Sequence, residues 1–308
     1  PDWKDGELAV DGVIIIGEHG DYPKNERSRR MYPRRNFFEQ VCGVIASSDR
    51  SIPVFNDKHL AYNWTDAQWI YQRAKELDLP FMAGSSLPVT YRKPELEHQL
   101  DTHIEDAISI GFFHSYVGGL ESYGFHALET LQCMVERRQG GETGVRAVQC
   151  LEGAAVWKAA CDGVYSGELV AAAETCIEDK TPGNMKTNCN NPVLFLLEYS
   201  DGLRATTLLL PGHLQGFGYA ARVGGEIHCT GFGNKNYQDH TFGYLGLNIQ
   251  EMFLTGRPTY PVERTLLITG VLDALLESRY RNNARIETPQ LNISYKSFVT
   301  PAIRHRSL

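Results

Sequence analysis

The N-terminal part of the chain contains short apolar runs that predict strands. Val10–Ile16 is rich in β-branched residues and predicts a buried parallel strand. Ile52–Phe55 predicts a second strand, and Pro80–Ala83 opens a third. Polar residues follow the first two runs directly, so their side chains are expected at the carboxyl edge of one sheet.

Two helices are predicted between these strands. Large apolar side chains recur at helical spacing after Pro33 and predict a helix over 34–47. Thr65 and Asp66 offer N-cap groups for the second helix. Strands that alternate with helices are typical of right-handed crossovers and a parallel sheet. Residues 1–93 are therefore predicted to form an α/β domain.

The remaining residues, 94–308, predict an α+β domain with a large, mainly antiparallel sheet flanked by helices. The apolar periodicity predicts helices over Gly124–Arg138, Leu151–Val164, Glu168–Cys176, Leu247–Leu254 and Thr265–Tyr280. Turn residues between apolar runs predict two hairpins, Val193–Tyr199 with Leu203–Leu210 and Tyr219–Val223 with Glu226–Thr230.

Composition and charge narrow the choice of partners. The 308 residues are 42% hydrophobic and 22% charged, which is ordinary for a globular protein. The net charge of -7 disfavours a nucleic-acid partner. No apolar run is long enough to predict a membrane-spanning helix. The cysteines contain no C-x-x-C pair, which indicates free thiols, and we expect a cytoplasmic protein.

One segment, Lys24–Arg35, is unusually basic, with six Lys or Arg residues within twelve positions. A solvated basic loop is one interpretation. The alternative is a grip on an anionic substrate or a phosphate, because the segment follows the carboxyl end of a predicted parallel strand, where open α/β sheets bind ligands.

Two further patterns carry no chemistry by themselves. Gly216–Ala221 matches part of a dinucleotide-binding glycine motif, but it lies between predicted strands and is interpreted as a hairpin glycine pair. The acidic, His-containing stretch Glu95–Asp106 matches no metal-ligand spacing and is interpreted as a solvated surface. We therefore predict no metal site.

Three positions are candidates for proton chemistry. His19 and Lys58 each follow a predicted strand at the carboxyl edge of the sheet. His126 lies near the start of a predicted helix, where Ser122 and Glu129 would share its face at i−4 and i+3. A His beside a carboxylate is a common acid–base unit.

These residues resemble segments of the glucose–fructose oxidoreductase and inositol dehydrogenase family (Gfo/Idh/MocA). Asp11–His19 is similar to its D-A-V-x-I-A-T-P-x-x-x-H segment, and Val54–Ala61 to its E-K-P-L-A segment. Gly118–Glu129 resembles G-G-x-x-x-D-x-G-x-H-x-x-D, and Gly256–Arg279 resembles the family's C-terminal G-R-P segment and long helix. The resemblance covers essentially the whole chain in order.

The resemblance implies a Rossmann-like first domain and hydride transfer between NAD or NADP and a sugar, cyclitol or similar polyhydroxylated substrate. It also implies a homo-oligomer that pairs through the C-terminal sheet. Carried over by position, the implied catalytic residues are Lys58, His126 and Ser122, the cofactor-binding residues Glu18, His19, Asp57 and Lys58, and the substrate-binding residues Glu121, Tyr123 and Arg92.

The sequence departs from the family at two places. Ser122 stands where the family has an Asp four residues before the His, and a neutral Ser cannot hold an imidazolium as a carboxylate does. The family's glycine-rich loop would precede Val10, so we expect this sequence to be part of a longer protein. Two alternatives to the oxidoreductase stay open: a non-catalytic relative for sugar binding or assembly, and a nicotinamide-using lyase or glycosidase.

Overall fold

A small parallel sheet and a large mixed sheet organise the chain. The structure is a computed structural model that describes residues 2–4, 7–17, 20–114, 119–233 and 238–304. The strands are β1 (Asp2–Lys4), β2 (Glu7–Leu8), β3 (Val13–Ile15), β4 (Val54–Asp57), β5 (Phe81–Gly84), β6 (Arg92–Lys93), β7 (Ile104–Gly111), β8 (Val145–Glu152), β9 (Val193–Tyr199), β10 (Arg204–Leu209), β11 (Phe217–Val223), β12 (Glu226–Phe232) and β13 (Ile286–Glu287). The α-helices are α1 (Arg34–Ser47), α2 (Trp64–Glu76), α3 (Gly119–Val135), α4 (Ala154–Cys161), α5 (Gly167–Thr175), α6 (Met185–Asn188), α7 (Gln238–Thr255) and α8 (Glu263–Tyr280).

The parallel sheet has the order β3-β4-β5, with α1 and α2 in the two crossovers. Helix α1 confirms the predicted span. Helix α2 begins at Trp64, at least two residues earlier than its expected caps allow, because Asn63 is the N-cap and its Oδ1 accepts a hydrogen bond from Asp66 N at 2.8 Å. Thr65 and Asp66 therefore lie inside the first turn, and their prediction as N-caps was wrong.

The prediction of a fully buried first strand was also wrong. Only Val13–Ile15 of the predicted run pairs, and β3 is the edge of its sheet within the described part of the chain. Ile14 is 48% exposed and Ile16 is 69% exposed, because no neighbouring strand or helix of the described residues covers their side of the edge. An exposed apolar edge of this kind favours pairing with other chains.

The large sheet has the order β13-β8-β9-β10-β7-β11-β12-β6 and is antiparallel except for the β7–β10 pair. Both predicted hairpins, β9–β10 and β11–β12, are confirmed. The central strand β7 was not predicted, because Glu105 and Asp106 at its start interrupt the apolar pattern. The acidic stretch Glu95–Asp106 runs into the start of β7, and most of its charged side chains are exposed or half-buried, as the interpretation of a solvated surface expects.

Two other local expectations needed correction. The predicted helix Leu151–Val164 is shorter, because β8 extends to Glu152 and α4 begins at Ala154. Gly218 lies inside β11 rather than in a hairpin turn. A Cβ at this position would lie 2.8 Å from Ala173 O, so the glycine lets α5 approach the strand closely.

The helices cover both faces of the large sheet. Helices α3 and α8 bury apolar side chains on one face, and α4 and α5 do so on the other. Helix α8 also packs against α2 of the parallel sheet, so it links the two sheets. No helix in the described part of the chain is both long and apolar enough to cross a bilayer.

Candidate functional site

The carboxyl end of β4 carries the lysine that the sequence singled out. Lys58 follows Asp57, the last residue of β4, and has a left-handed backbone with φ +61°. Lys58 N donates to Gly84 O at 2.9 Å, which ties the ends of β4 and β5 together. Lys58 Nζ donates to Asp57 Oδ2 at 2.9 Å, and the lysine side chain is 19% exposed. The ammonium group is thus oriented at the sheet edge and still reaches solvent.

The first half of α3 carries the other catalytic candidates. Ser122, Tyr123 and His126 are half-buried on this helix. Ser122 and His126 are four residues apart, so their side chains share one helix face. The Tyr123 ring packs on Phe112 at 5.1 Å between centroids, and the His126 ring lies 6.2 Å from Phe217. This part of α3 therefore carries the His126 imidazole next to the aromatic rings of Tyr123, Phe112 and Phe217.

Glu129 joins this part of α3 to the strand ends. Its carboxylate accepts hydrogen bonds from Ser85 N at 3.0 and 3.2 Å. A Cβ on Gly84 would lie 2.6 Å from Glu129 Oε1, so only glycine permits this approach. Because Glu129 lies one turn after His126, this contact brings the helix face that carries His126 towards the strand ends that carry Lys58.

The charge state of Glu129 is unusual for a carboxyl group. Burial raises its pKa to about 7, although the hydrogen bonds from Ser85 act in the opposite direction. The nearby charge of Asp57 contributes to the increase. The sequence placed Glu129 on the face of His126, but its burial and its contact with Ser85 depend on the fold.

Neither sequence interpretation of the basic segment describes its central residue, Arg29. This side chain is fully buried, with Nε 3.1 Å from Glu121 Oε1 and Nη1 3.0 Å from Asp273 Oδ1. Arg30 N also donates to Glu121 Oε2 at 2.8 Å. The segment is therefore anchored by carboxylates of α3 and α8, and Arg29 is occupied by the protein itself.

Glu121 consequently differs from its predicted role in substrate binding. It is 6% exposed, and both of its oxygens accept hydrogen bonds from the basic segment. Burial alone would raise the pKa of Glu121, but the Arg29 charge and the hydrogen bond from Arg30 N outweigh it and hold the pKa below its usual value. Both oxygens of Glu121 are thus engaged by the basic segment, and its contact with substrate stays a prediction.

His59, which stands where the family has proline, is a buried neutral histidine. Burial first, and the Arg34 charge second, lower the pKa of His59 to about 3. Arg34 Nη1 donates to His59 Nε2 at 2.9 Å, whereas Glu121 Oε1 is 3.5 Å away. Nε2 therefore acts as an acceptor, which places the ring proton on Nδ1.

The structure separates Arg92 from the other predicted site residues. Arg92 lies on β6, is 3% exposed, and donates to Leu96 O, Glu97 Oε2 and Pro88 O. The protein itself thus engages the Arg92 guanidinium group, and its contact with substrate stays a prediction. Glu18 and His19, predicted to bind the cofactor, lie outside the described residues.

A cavity of about 260 Å³ opens beside the α3 candidates. Phe217, which contacts His126, and Phe112, which contacts Tyr123, both line it. Its other lining residues include apolar, acidic and amide side chains, among them Leu87, Glu178, Asp179, Gln215 and Phe232. A larger cavity of about 1200 Å³ lies elsewhere, between the end of α3 and residues 296–303.

Two residues of this region, His114 and Ser85, were not predicted from the sequence. His114 follows β7 and lies 5.2 Å from the Tyr123 ring, but β7 itself was missed. Ser85 was missed because its contribution is a backbone N–H. Within the described ranges, no group of three or more His, Cys, Asp or Glu side chains is arranged to hold a metal ion.

Comparison with known proteins identifies the fold. No protein-family model and no curated protein sequence matches the chain. Among solved structures, GenD2 from gentamicin A biosynthesis in complex with NAD is similar over 90% of this chain and 78% of its own, at 11% identity and a TM-score of 0.56. A myo-inositol dehydrogenase from Corynebacterium glutamicum is similar over 92% and 81%, at 12% identity and a TM-score of 0.53.

A third similar structure is the scyllo-inositol dehydrogenase from Lactobacillus casei with bound NAD(H) and scyllo-inositol. It aligns with 91% of this chain and 80% of its own, at 11% identity and a TM-score of 0.55. The chain therefore shares the fold of these dehydrogenases, a small parallel sheet followed by a larger mixed sheet with helices, which confirms the expected fold class.

Proposed function

We propose that the protein is an NAD- or NADP-dependent oxidoreductase that acts on a sugar, cyclitol or similar polyhydroxylated molecule. The single observation that carries the proposal is the placement of Lys58 at the carboxyl edge of the parallel sheet, where Asp57 orients its ammonium group and Glu129 of α3 binds the end of the neighbouring strand. The fold shared with dehydrogenases of such substrates supports it.

In this proposal the reacting part of the substrate lies between Lys58 and His126, and the cavity beside Phe112 and Phe217, which neither of them lines, takes the rest of the molecule. Lys58 Nζ stabilises the negative charge that develops on the reacting oxygen, and Asp57 keeps the ammonium oriented. His126 takes or returns the hydroxyl proton. Tyr123, stacked on Phe112, contacts the substrate ring from the same side.

The described residues fit the nicotinamide end of the cofactor but not its pyrophosphate. Asp57, Lys58 and the Ser85 turn form a polar strand edge, which suits a nicotinamide ribose. Among the described residues, no glycine-rich turn links a strand to a helix N-terminus, which a pyrophosphate requires. When bound, the cofactor supplies or accepts the hydride.

A fluorescence titration with NADH and NADPH, on this chain and on one extended upstream, tests cofactor binding first. Oxidation of a panel of polyols then tests activity. Lys58→Met keeps the length of the side chain and removes its charge, so kcat/KM should fall by roughly 100-fold or more. Lys75→Met, on an exposed turn of α2, is the matched control and should leave it unchanged. Equal activity of wild type and Lys58→Met would refute the assignment.

One observation favours a second candidate function, a non-catalytic relative that binds sugars. Ser122 supplies no carboxylate to His126, which weakens an acid–base pair. Sugar binding without turnover, and without nucleotide binding by the longer chain, would favour this candidate. Nicotinamide that stays bound through purification and is visible by absorbance would instead favour the lyase or glycosidase hypothesis.

We also propose a homo-oligomer formed through the large sheet and a cytoplasmic location. All seven cysteines are free thiols, which supports a reducing compartment. Light scattering at micromolar concentration tests the assembly, and the mass of a single chain would contradict it. Cell fractionation tests the location.

A further inference from the structure

Four arginines cluster where the end of α3, the start of α8 and residues 297–304 meet. We call Arg92, Arg137, Arg264 and Arg304 the arginine cluster. Each of these side chains is at most 7% exposed. Burying four guanidinium groups this closely is costly unless carboxylates or anions compensate them.

Protein carboxylates compensate the arginine cluster only in part. Glu97 pairs with Arg92 at 2.9 Å, Arg137 at 3.2 Å and Arg304 at 2.7 Å. Glu136 binds Arg264 at 2.6 Å, and Glu95, 34% exposed, lies 3.4 Å from Arg304. Among the described residues, three carboxylates are thus paired with four guanidinium groups, and Glu129, which also acts electrostatically on Arg264, has a pKa raised to about 7, so one positive charge is not fully balanced.

The excess positive charge shifts the pKa values of groups within the arginine cluster. Burial, together with repulsion by Arg92, lowers the pKa of the Arg304 guanidinium, although Glu97 and Glu95 act against this change. The same group of charges holds the pKa of Glu97 below its ordinary value despite burial. Additional negative charge at this place would therefore be stabilising.

Three buried polar atoms of the same region point to where that charge belongs. Arg92 Nε, Arg304 Nε and Tyr260 Oη have no hydrogen-bond partner among the described residues. Tyr260 is 3% exposed, and the Arg264 guanidinium lies 4.9 Å from the centroid of its ring. Buried polar groups without partners are rare in native proteins and call for a ligand or a solvent molecule.

All three residues line one small cavity of about 20 Å³, together with Arg137 and Arg264 and with Glu97 and Glu136, the carboxylates that pair with the arginine cluster. Such a space holds about one water-sized group, so a tetrahedral oxyanion is too large for it. A water molecule accepts only two hydrogen bonds and brings no charge. A single-atom anion accepts bonds from several donors and balances the one excess positive charge.

We propose that this cavity is a binding site for one monovalent anion of the size of chloride. The anion accepts hydrogen bonds from Tyr260 Oη and from the Nε atoms of Arg92 and Arg304. It thereby fastens residues 297–304 to β6 and to the segment that leads into α8. Arg92, expected from the family resemblance to touch the substrate, is part of this site instead.

The first experiment uses bromide as an anomalous scatterer that mimics chloride. Crystals of the protein are transferred from gluconate to bromide salt, and we expect an anomalous peak between Tyr260 and the arginine cluster. A cavity that shows only water density in saturating bromide would overturn the proposal.

The second experiment measures thermal unfolding in bromide and in gluconate at equal ionic strength. The wild type should be stabilised by bromide and not by gluconate. Tyr260→Phe removes one donor and should weaken the apparent bromide affinity by roughly tenfold. Arg304→Gln removes the excess charge and should abolish the response. Tyr280→Phe, at a 58% exposed position, is the matched control and should respond like the wild type.

The Tyr260→Phe variant distinguishes a hydroxyl group that binds an anion from one that has no partner. If no anion binds, removing a buried, unpaired hydroxyl leaves stability equal or higher in both salts. Equal stability of the variant and the wild type in gluconate, with a difference only in bromide, supports the site. A bromide response in Tyr260→Phe equal to that of the wild type would contradict it.

Discussion

Two regions of the same helix, α3, treat a buried glutamate in opposite ways. Glu121, in the first turn, faces Arg29 and the backbone N–H of Arg30, and its pKa falls to about 2. Glu129, two turns later, faces the backbone N–H of Ser85, and its pKa rises to about 7. Both side chains are almost completely buried.

The difference shows that the charge on the donor, rather than burial, decides the charge state of these carboxyl groups. A directly bonded guanidinium group compensates the loss of hydration of Glu121, whereas for Glu129 the hydrogen bonds from Ser85 and the more distant charge of Arg264 compensate it only in part. The Glu121 region is therefore a fixed anchor for the basic segment. The Glu129 region, next to Lys58, can change its protonation near neutral pH.

The largest effect should follow from breaking the Glu121 region. Arg29→Met leaves Glu121 and Asp273 buried without their main partner, so the free energy of unfolding should fall by about 3–5 kcal/mol. Arg27→Met, at a side chain that is 31% exposed, should cost about 1 kcal/mol or less. Urea unfolding of both variants checks this, and equal losses would mean that Arg29 is no anchor.

The Glu129 region should reveal itself through pH. The folded pKa of about 7 lies above the ordinary value of 4.5, so the folded state binds more protons between these values. The contribution of Glu129 to the free energy of unfolding should therefore fall as pH rises from 4.5 to 7, by about 3 kcal/mol in total.

Glu129→Gln should remove this part of the pH dependence, which denaturant titrations at several pH values would measure. Glu178→Gln, at a 50% exposed side chain, is the control. Glu121 contributes with the opposite sign, because its stabilisation is complete above pH 4.5 and is lost as pH falls towards 2. An unchanged pH profile in Glu129→Gln would show that the carboxyl group is already ionised below pH 7.

The smallest effect is a change in kcat/KM that should follow from substitutions in α3 between these two glutamates. Ser122→Asp places a carboxylate four residues before His126, and helix pairs of this kind contribute about 0.5 kcal/mol. If His126 acts as the acid–base group, kcat/KM should rise about twofold, as steady-state kinetics would show. Ser122→Asn, which is neutral and of equal size, should not change it. Identical rates for the two variants would remove His126 from the mechanism.

Local periodicity predicted the elements that depend on neighbours in the sequence, and missed what depends on distant ones. Helix α1 and the two hairpins follow from their own spacing and turn residues. The burial of Arg29 does not, because its partners lie 92 and 244 residues away. Strand β7 was missed because Glu105 and Asp106, exposed and half-buried at its start, precede an apolar run that only the flanking strands reveal as a strand.

The candidate site shows the same division. Lys58 and His126 were predicted from short segments, but the contact of Glu129 with Ser85 requires the packing of α3 on the strand ends. The raised pKa of Glu129 follows from that packing and has no signal in the sequence. The ion pair of Arg92 with Glu97 was not predicted, because a single arginine does not reveal which of several carboxylates it will meet.

The left-handed backbone at Lys58 determines which replacements this position tolerates. For residues other than glycine and asparagine, such a conformation costs roughly 1–2 kcal/mol, and branching at Cβ makes it worse. A selection for stability alone would therefore enrich glycine and asparagine at position 58. Selection for activity should instead retain the lysine. The difference between the two selections would show how much the ammonium group contributes to function.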